Sequence, residues 1–299
     1  MQMNRNELIT RLQRIQHEHD FNALAIELFY YQAEHCEVYS NYLQLTGRYP
    51  VSLQSYDQIP ALPIGFFKTH RVACFESQEN DLFFESSSTG GIASKHFIKD
   101  FALYEWSFMS SFKQFFSHPN QYLHLALLPG YLERKNASLV AMINRLVELS
   151  DFEESGFFLH NHEELHATLL RAKREKIPTI LWGVSFALLD FLDFYSLDFP
   201  ELILMETGGM KGKRKEIIRA ELHQRLTAGF GVEHVHSEYG MTELFSQAYS
   251  MGNGIFQTPP WMKVLIRDAS DPFELLPDQQ TGGVNVIDLA NIDSCAFIE

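Results

Sequence analysis

Residues 178–208 read "PTILWGVSFALLDFLDFYSLDFPELILMETG" and contain two apolar runs that flank a helical stretch. The runs "PTILWGV" and "LILMETG" are short and almost continuously apolar, which is typical of strands buried on both faces. A helix of ten or more residues between two such strands implies a right-handed crossover and a parallel pair. The stretch therefore predicts one βαβ unit.

The same alternation continues on both sides of this unit. Upstream, the runs "LHLALL" and "GFFLH" are each followed by a helical pattern, and downstream the helical "KRKEIIRAELHQRL" precedes "VEHVHSEYG". We therefore predict an α/β fold with a mostly parallel sheet covered by helices. The runs "WMKVLIRD", "GGVNVIDL" and "CAFIE" predict a mixed β tail. Ligands of such sheets bind at the carboxyl ends of strands, where "ETGG" and "SEYG" are expected.

The N-terminal part of the chain has a different pattern. Residues 1–50 carry apolar side chains at intervals of three and four, which predicts a helical segment packed on a main domain of residues 51–299. The runs "RVACFES" and "DLFFES" are rich in β-forming residues and predict either a hairpin or two neighbouring strands.

Charge and composition exclude several classes of function. The 299 residues include 24 Lys and Arg against 38 Asp and Glu, so the net charge is −14. This balance argues against nucleic acid or an anionic membrane as a general partner. The N-terminus lacks the apolar core of a signal peptide, and the apolar runs are too short to span a membrane. We therefore expect a cytoplasmic protein.

The loop within "FFESSSTGGIASKHF", residues 83–97, combines hydroxyls, two glycines and a lysine. Backbone N–H groups of glycine-rich loops approach phosphate closely, and hydroxyls and lysine add further donors. The loop is not a Walker loop, because Ser94 precedes Lys95 and His96 follows it. By itself the pattern fits a phosphate-binding loop and a polar turn equally well.

A second stretch, "SEYGMTE" at residues 237–243, follows a predicted strand about 150 residues further on. Its tyrosine offers an aromatic plane for a base, and its glycine allows a close backbone approach. Its threonine offers a hydroxyl for phosphate, and its last glutamate offers a carboxylate for a metal ion.

These two stretches resemble the hallmarks of the adenylate-forming superfamily. The pattern Y-G-x-T-E is matched by Tyr239, Gly240, Thr242 and Glu243. The pattern S-S-G-T-T-G-x-P-K is approached by residues 86–91 and Lys95, with Ser88 in place of a glycine and no proline. Together with "METGGMKGKRKE", "LPGYLERKNASLV" and "PALPIGFFK", the chain is similar to the acyl-protein synthetase (LuxE-type) branch.

The resemblance implies the fold of the large N-terminal domain of those enzymes and an activity that uses ATP and Mg²⁺. A fatty or related carboxylic acid would become an acyl-AMP with release of pyrophosphate, and the acyl group would pass to a protein thiol. The implied catalytic residues are Thr242 at the α-phosphate, Glu243 at Mg²⁺, and Lys95. The implied nucleotide-binding residues are Ser86, Ser87, Ser88, Thr89, Gly90, Gly91, Gly208, Gly209, Glu238, Tyr239 and Gly240.

Two other functions stay open at this point. The acyl group could pass to coenzyme A or an acyl-carrier protein, or the chain could be a non-catalytic adenylate-fold subunit of a partner such as a reductase. The C-terminal lid of the superfamily is expected to be absent or truncated in a chain that ends at Glu299. Acid identity, acyl acceptor and oligomeric state are left undetermined by the sequence.

Four further patterns have simpler interpretations. The resemblance suggests an acyl-accepting cysteine near the C-terminus, but Cys295 lies in a strand-like run and is expected to be a buried structural thiol. Trp182 is expected in the core rather than in an acyl tunnel, and His234 and His236 are expected to be core histidines. "KGKRK", residues 211–215, is either solvated surface or the edge of the site.

Overall fold

A computed structural model describes residues 4–50, 52–87, 91–128, 136–209, 214–277 and 279–299. The helices are α1 (Arg5–Leu12), α2 (Glu18–His35), α3 (Glu37–Leu45), α4 (Phe66–Thr69), α5 (Phe101–Phe116), α6 (Ser138–Leu149), α7 (His162–Glu175), α8 (Ser185–Leu192) and α9 (Arg219–Phe230). The strands are β1 (Leu82–Glu85), β2 (Lys95–Ile98), β3 (Leu123–Leu127), β4 (Gly156–Phe158), β5 (Thr179–Gly183), β6 (Ile203–Glu206), β7 (His236–Tyr239), β8 (Ala248–Ser250), β9 (Phe256–Gln257), β10 (Met262–Arg267), β11 (Gly283–Asp288) and β12 (Phe297–Ile298).

The chain divides into two compact units. The first unit contains residues 1–108, 241–246 and 258–299, and the second contains residues 109–240 and 247–257. The expected separation of a helical segment 1–50 from an adenylate-forming domain 51–299 stays a prediction. Within the described ranges, no helix is both long and apolar enough to cross a membrane.

The second unit is built on a sheet with the strand order β4-β3-β5-β6-β7-β8-β9. The pairs from β4 to β7 are parallel, and β8 and β9 add antiparallel pairs at one edge. Every residue of β3 and β5 is buried, as the apolar runs predict. The predicted α/β class with a mostly parallel sheet is confirmed, whereas the antiparallel edge was not predicted.

Two helices of the second unit are each followed by a residue in the left-handed conformation. Helix α7 carries Glu163 and Glu164 in its first turn and ends at Lys176, which has a left-handed conformation. Acidic residues at that position interact favourably with the helix dipole. Helix α9 ends at Gly231, whose φ is +67°, and a Cβ there would lie 2.5 Å from the Cα of Asp198. Only glycine fits both conditions.

The start predicted for α9 is wrong by several residues. The helix begins at Arg219, whereas the pattern "KRKEIIRAELHQRL" extends it upstream. Arg214 instead pairs with Asp190 of α8, with 2.6 Å between Nε and Oδ1, and also with Asp193. Ile218 is extended, with φ of −68° and ψ of 149°. These ion pairs hold the segment before α9 in a non-helical path.

The first unit contains the hairpin β1–β2 and a sheet with the order β10-β11-β12, both antiparallel. Gln32 of α2 binds the loop before β12, because its Nε2 donates to Asn291 O at 2.7 Å and its Oε1 accepts from Ala296 N at 2.9 Å. Arg5 of α1 donates to both carboxylate oxygens of Asp293 at 2.6 Å. Helices α1 and α2 are thus held to this loop by buried polar contacts.

The strand predicted at "RVACFES" is wrong, since residues 71–77 form no strand. Ser294 Oγ donates to Val72 O at 2.9 Å, and Cys74 N donates to Asp293 O at 2.8 Å. The loop before β12 therefore satisfies backbone groups that a neighbouring strand would otherwise bind. Strand β1 pairs with β2 instead, so the polar loop connects the two strands of one hairpin.

Candidate functional site

The polar loop is closed at its base by two serines. Ser86 N donates to Ser94 O at 3.0 Å, and Ser94 N donates to Ser86 Oγ at 2.9 Å. Ser87 is exposed, and the exposed Gly91 has open space around its Cα. Ser88, Thr89 and Gly90 lie outside the described residues. A hydroxyl that accepts one hydrogen bond keeps its proton for another acceptor, so Ser86 can still donate to a ligand.

Lys95 and His96 begin β2 and point to opposite faces, as successive strand residues do. Lys95 lies opposite Glu85 in the hairpin register. Its side chain is exposed, with Nζ 4.9 Å from the ring centre of Phe83. His96, by contrast, is fully buried.

His96 connects the hairpin to the turn that contains Thr242. Its Nδ1 lies 2.9 Å from Thr242 O, and its ring packs against Phe67 and Phe245. Burial lowers the pKa of His96 to about 4, so the ring is neutral at pH 7. Because a carbonyl only accepts, Nδ1 carries the proton and donates it. His96 Nε2 is buried and has no partner among the described residues.

The turn at residues 241–246 is also bound by residues at the end of β11 and in the loop that follows it. Asn291 Nδ2 donates to Glu243 O at 2.7 Å. Asp288, at the end of β11, accepts from Phe245 N at 2.8 Å and from Ser246 N at 2.9 Å. Burial raises the pKa of the Asp288 carboxyl, while these donors oppose the rise. The backbone that carries Thr242 and Glu243 is therefore fixed at several points.

The Glu243 side chain is 5% exposed, and within the described part of the chain its carboxylate has no hydrogen-bond or ion-pair partner. The described residues include no group of three His, Cys, Asp or Glu that could hold a metal ion. Mg²⁺ is commonly bound by one or two carboxylates together with substrate phosphates and water. A single carboxylate such as that of Glu243 fits this donor set.

In the second unit, Glu206 is the last residue of β6, and its carboxylate connects three adjacent parallel strands. Its Oε1 accepts from Ser185 Oγ at 2.5 Å, two residues after β5, and from Gly208 N at 2.8 Å, two residues after β6. Its Oε2 lies 3.4 Å from Ser237 Oγ of β7. Gly208 and Gly209 follow with φ of +84° and +88°, which glycine adopts readily.

Sequence reasoning selected the two glycines and missed Glu206, Ser185 and Ser237. The available signal was a charged residue at the end of the apolar run "LILMETG". A glutamate in such a position is buried only when donors surround it. The strand order that brings Ser185 and Ser237 to it was not visible in the sequence.

The end of β7 presents the remaining predicted residues. Glu238 is 9% exposed, and burial, together with the nearby Glu206, raises its pKa to about 8. Tyr239 is half-buried, with its ring edge-on to Phe256 at 6.1 Å. A Cβ at Gly240 would lie 2.5 Å from Glu238 Oε1, so a side chain at this position would force the carboxyl to move.

The structure thus groups the predicted residues by unit. In the first unit, His96 brings the strand that contains Lys95 to the turn of Thr242 and Glu243. Of the residues predicted to bind the nucleotide, the structure describes Ser86, Ser87 and Gly91 in that unit, and Gly208, Gly209, Glu238, Tyr239 and Gly240 in the second unit.

The simpler interpretations have mixed outcomes. Cys295 is fully buried, its Sγ donates to Phe297 O at 3.3 Å, and burial raises its pKa well above the usual value. Trp182 is also fully buried, and its Nε1 donates to His124 Nδ1 at 3.2 Å. The prediction of core histidines is wrong, since His234 is exposed and His236 is half-buried with an unpartnered Nδ1. Of "KGKRK", residues 211–213 lie outside the described part.

No protein-family model matches the sequence, and no curated protein matches it significantly. Among solved structures, a mutant form of coronafacic acid ligase from Pectobacterium brasiliense is similar over 56% of this chain and 31% of its own, with 19% identity and a TM-score of 0.37. McyG A-PCP complexed with phenylalanyl-adenylate is similar over 75% and 42%, with 12% identity and a TM-score of 0.49.

A third similar structure is the adenylation domain of a keto acid-selecting NRPS module bound to a keto acyl adenylate. It is similar over 73% of this chain and 45% of its own, with 13% identity and a TM-score of 0.46. The chain therefore spans less than half the length of each of these three proteins. Identities and TM-scores of this size describe a partial likeness and assign no activity.

Proposed function

We propose that this protein activates a fatty or related carboxylic acid with ATP and passes the acyl group to a protein thiol. The observation that carries the proposal is the contact between His96 Nδ1 and Thr242 O. Through it, the strand that follows the polar loop and the part of the second stretch from Met241 to Glu243, about 150 residues further along the chain, come together within the first unit.

The proposed reaction has two displacement steps. A carboxylate oxygen of the acid attacks the α-phosphorus of ATP, the bond from that phosphorus to the bridging oxygen breaks, and pyrophosphate leaves. A thiol sulfur then attacks the acyl carbon of the acyl-AMP, the sulfur loses its proton, and AMP leaves. The protein mainly positions two anions and offsets their repulsion. A chain of net charge −14 needs a local source of positive charge for this.

In this proposal the first unit handles the phosphates. The loop of Ser86, Ser87, Ser88, Thr89, Gly90 and Gly91 holds the β- and γ-phosphates, and Lys95 adds a positive charge. The Thr242 hydroxyl donates to the α-phosphate, and Glu243 holds Mg²⁺. When bound, the metal supplies positive charge to the phosphate oxygens. The buried Glu243 carboxylate, which has no partner among the described residues, and the ability of the Ser86 hydroxyl to donate support these roles.

The proposed roles in the second unit concern the base. Tyr239 stacks on adenine, and the backbone of Gly208 and Gly209 lines the adenine pocket. Glu238 and Gly240 complete the nucleotide-binding set at the end of β7. Both glycines follow the carboxyl end of β6, and Tyr239 lies at the carboxyl end of its parallel neighbour β7. Ligands of such sheets bind at these ends, which supports the assignment.

Acid-dependent exchange of labelled pyrophosphate into ATP tests the first step. With Mg²⁺ and a panel of carboxylic acids of increasing chain length, we expect exchange with at least one acid. Glu243→Gln should lose it while the protein stays folded, whereas the exposed Glu274→Gln is the matched control and should retain it. Absence of exchange with every acid would exclude the enzymatic proposal and favour a non-catalytic partner subunit.

The acyl acceptor requires a separate experiment. Labelled acid is followed onto added protein, coenzyme A and acyl-carrier protein in the presence of ATP. We expect the label on a thiol of an acyl-accepting protein, such as a reductase subunit. Label that appears only on coenzyme A or on the phosphopantetheine of a carrier protein would replace the acyl-protein assignment with that of the corresponding ligase.

A further inference from the structure

Glu206 is a buried carboxylate that connects three adjacent strands, and sequence reasoning assigned it no role. It is 3% exposed and accepts from Ser185 Oγ at 2.5 Å and Gly208 N at 2.8 Å, with Ser237 Oγ 3.4 Å away. A carboxylate removed from water is costly unless donors surround it. The donors here come from the segments that follow β5 and β6 and from β7 itself, so the carboxylate holds these three strands in one arrangement.

The fourth element of the network is helix α9. Arg219, its first residue, donates from Nη1 to Ser237 Oγ at 3.2 Å. The Ser237 hydroxyl can therefore accept from the guanidinium and donate to Glu206 at the same time. The positive charge of Arg219 lies one hydroxyl away from the carboxylate, which further stabilises the carboxylate in its buried position.

The contact with Gly208 N is the one that reaches the glycine turn. Gly208 and Gly209 both have positive φ, and glycine loses more conformational freedom on ordering than any other residue. A Cβ at Gly208 would meet no described atom within 4 Å, so there is open space beside this residue. The hydrogen bond from Gly208 N to Glu206 Oε1 orients its peptide group, together with the bond from Thr207 N to Gly183 O at 3.0 Å.

We propose that Glu206 is a positioning residue for the nucleotide, because its carboxylate fixes the Gly208–Gly209 turn that contacts adenine. This inference rests on the proposed function, which assigns the two glycines to the adenine pocket. A turn held in one conformation binds the base without first being ordered, and such preorganisation increases affinity. The base does not change during the reaction, so this contribution is equal in the ground state and the transition state.

The expected kinetic signature is a change in the Michaelis constant for ATP. Glu206→Ala should raise the KM for ATP about tenfold or more and leave kcat within about threefold, as loss of uniform binding does. The KM for the acid should stay unchanged. The preference for ATP over GTP should fall, because a turn without a fixed conformation discriminates less strictly between adenine and guanine. Glu206→Gln keeps a carbonyl oxygen for Ser185 and Gly208 N and should stay close to wild type.

Two control measurements separate this role from a general loss of stability. Thr179→Val removes a buried hydroxyl at the amino end of β5, where Thr179 Oγ1 donates to Ile177 O at 2.8 Å. It should lower the melting temperature without changing the KM for ATP or the base preference. Hydrogen exchange of peptides that cover residues 203–209 should be faster in Glu206→Ala than in Glu206→Gln.

ATP binding measured by calorimetry on the full chain distinguishes the two proposals. If the wild type binds ATP but shows no exchange with any acid, the proposed function fails, and the affinity of Glu206→Ala still tests the inference. If exchange occurs and Glu206→Ala keeps the wild-type KM for ATP and base preference, the inference is overturned and the function stands. No binding of ATP by the wild type overturns both.

Discussion

His96 Nδ1 lies 2.9 Å from the carbonyl oxygen of Thr242, and this contact joins β2 to a turn that begins at residue 241. The ring is fully buried between Phe67 and Phe245 and is neutral at pH 7 because burial lowers its pKa to about 4. A neutral, oriented donor can fix a backbone carbonyl without adding a charge beside the proposed Mg²⁺ ligand. Under the proposed function, His96 determines where the Thr242 hydroxyl lies relative to the loop that follows β1.

Replacement of His96 by phenylalanine should separate this positioning from packing. The ring is retained and the hydrogen bond to Thr242 O is lost, which leaves a carbonyl without its donor and costs about 1–3 kcal/mol. We expect pyrophosphate exchange to fall by at least about tenfold, with the folded state retained in circular dichroism. His124→Phe is the control, since His124 is equally buried and binds Pro119 O and Trp182. Equal loss of exchange in both variants would contradict a specific role for His96.

Glu238 should make the stability of the protein fall as pH rises. Burial and the nearby Glu206 raise its pKa from 4.5 to about 8, so the folded protein holds a proton that the unfolded chain releases. The stabilisation is complete below pH 4.5 and is lost as pH rises through about 8. One proton contributes a slope of at most about 1.4 kcal/mol per pH unit.

The measurement compares urea unfolding of wild type and Glu238→Gln between pH 5 and pH 8.5. The wild type should lose stability relative to the variant as pH rises, because glutamine never acquires the buried charge. Glu233→Gln, at an exposed position in the same unit, should follow the wild type across the range. A constant difference between wild type and Glu238→Gln at all pH values would contradict the raised pKa.

Gly231 should tolerate no side chain. Its φ is +67°, and a Cβ would lie 2.5 Å from Asp198 Cα and 3.0 Å from Leu197 O, both backbone atoms that move only with the chain. Gly231→Ala combines strain of about 1–2 kcal/mol with this clash and should lower the melting temperature by several degrees. Gly65→Ala is the control, since Gly65 has helical φ and ψ and open space around it. A Gly231→Ala protein with the melting temperature of wild type would be inconsistent with this backbone geometry.

The periodicity of the sequence was sufficient for most of the second unit. Continuous apolar runs such as "LHLALL" and "PTILWGV" became fully buried parallel strands, because a strand covered on both faces has no polar side. The run "RVACFES" has similar local propensity and forms no strand. Its partners are the loop residues Asp293 and Ser294, more than 200 positions away, and no local pattern reveals such partners.

By itself, the sequence determined the α/β class, the alternation of strands and helices in the parallel part of the sheet, and which short stretches carry hydroxyls, glycines and carboxylates. These features depend on residue type and spacing along the chain. Only the tertiary structure decided that His96 donates to Thr242 and that Glu206 collects donors from Ser185, Gly208 and Ser237. A buried polar group is stable only with specific partners, and those partners are selected by packing in three dimensions rather than by proximity in the chain.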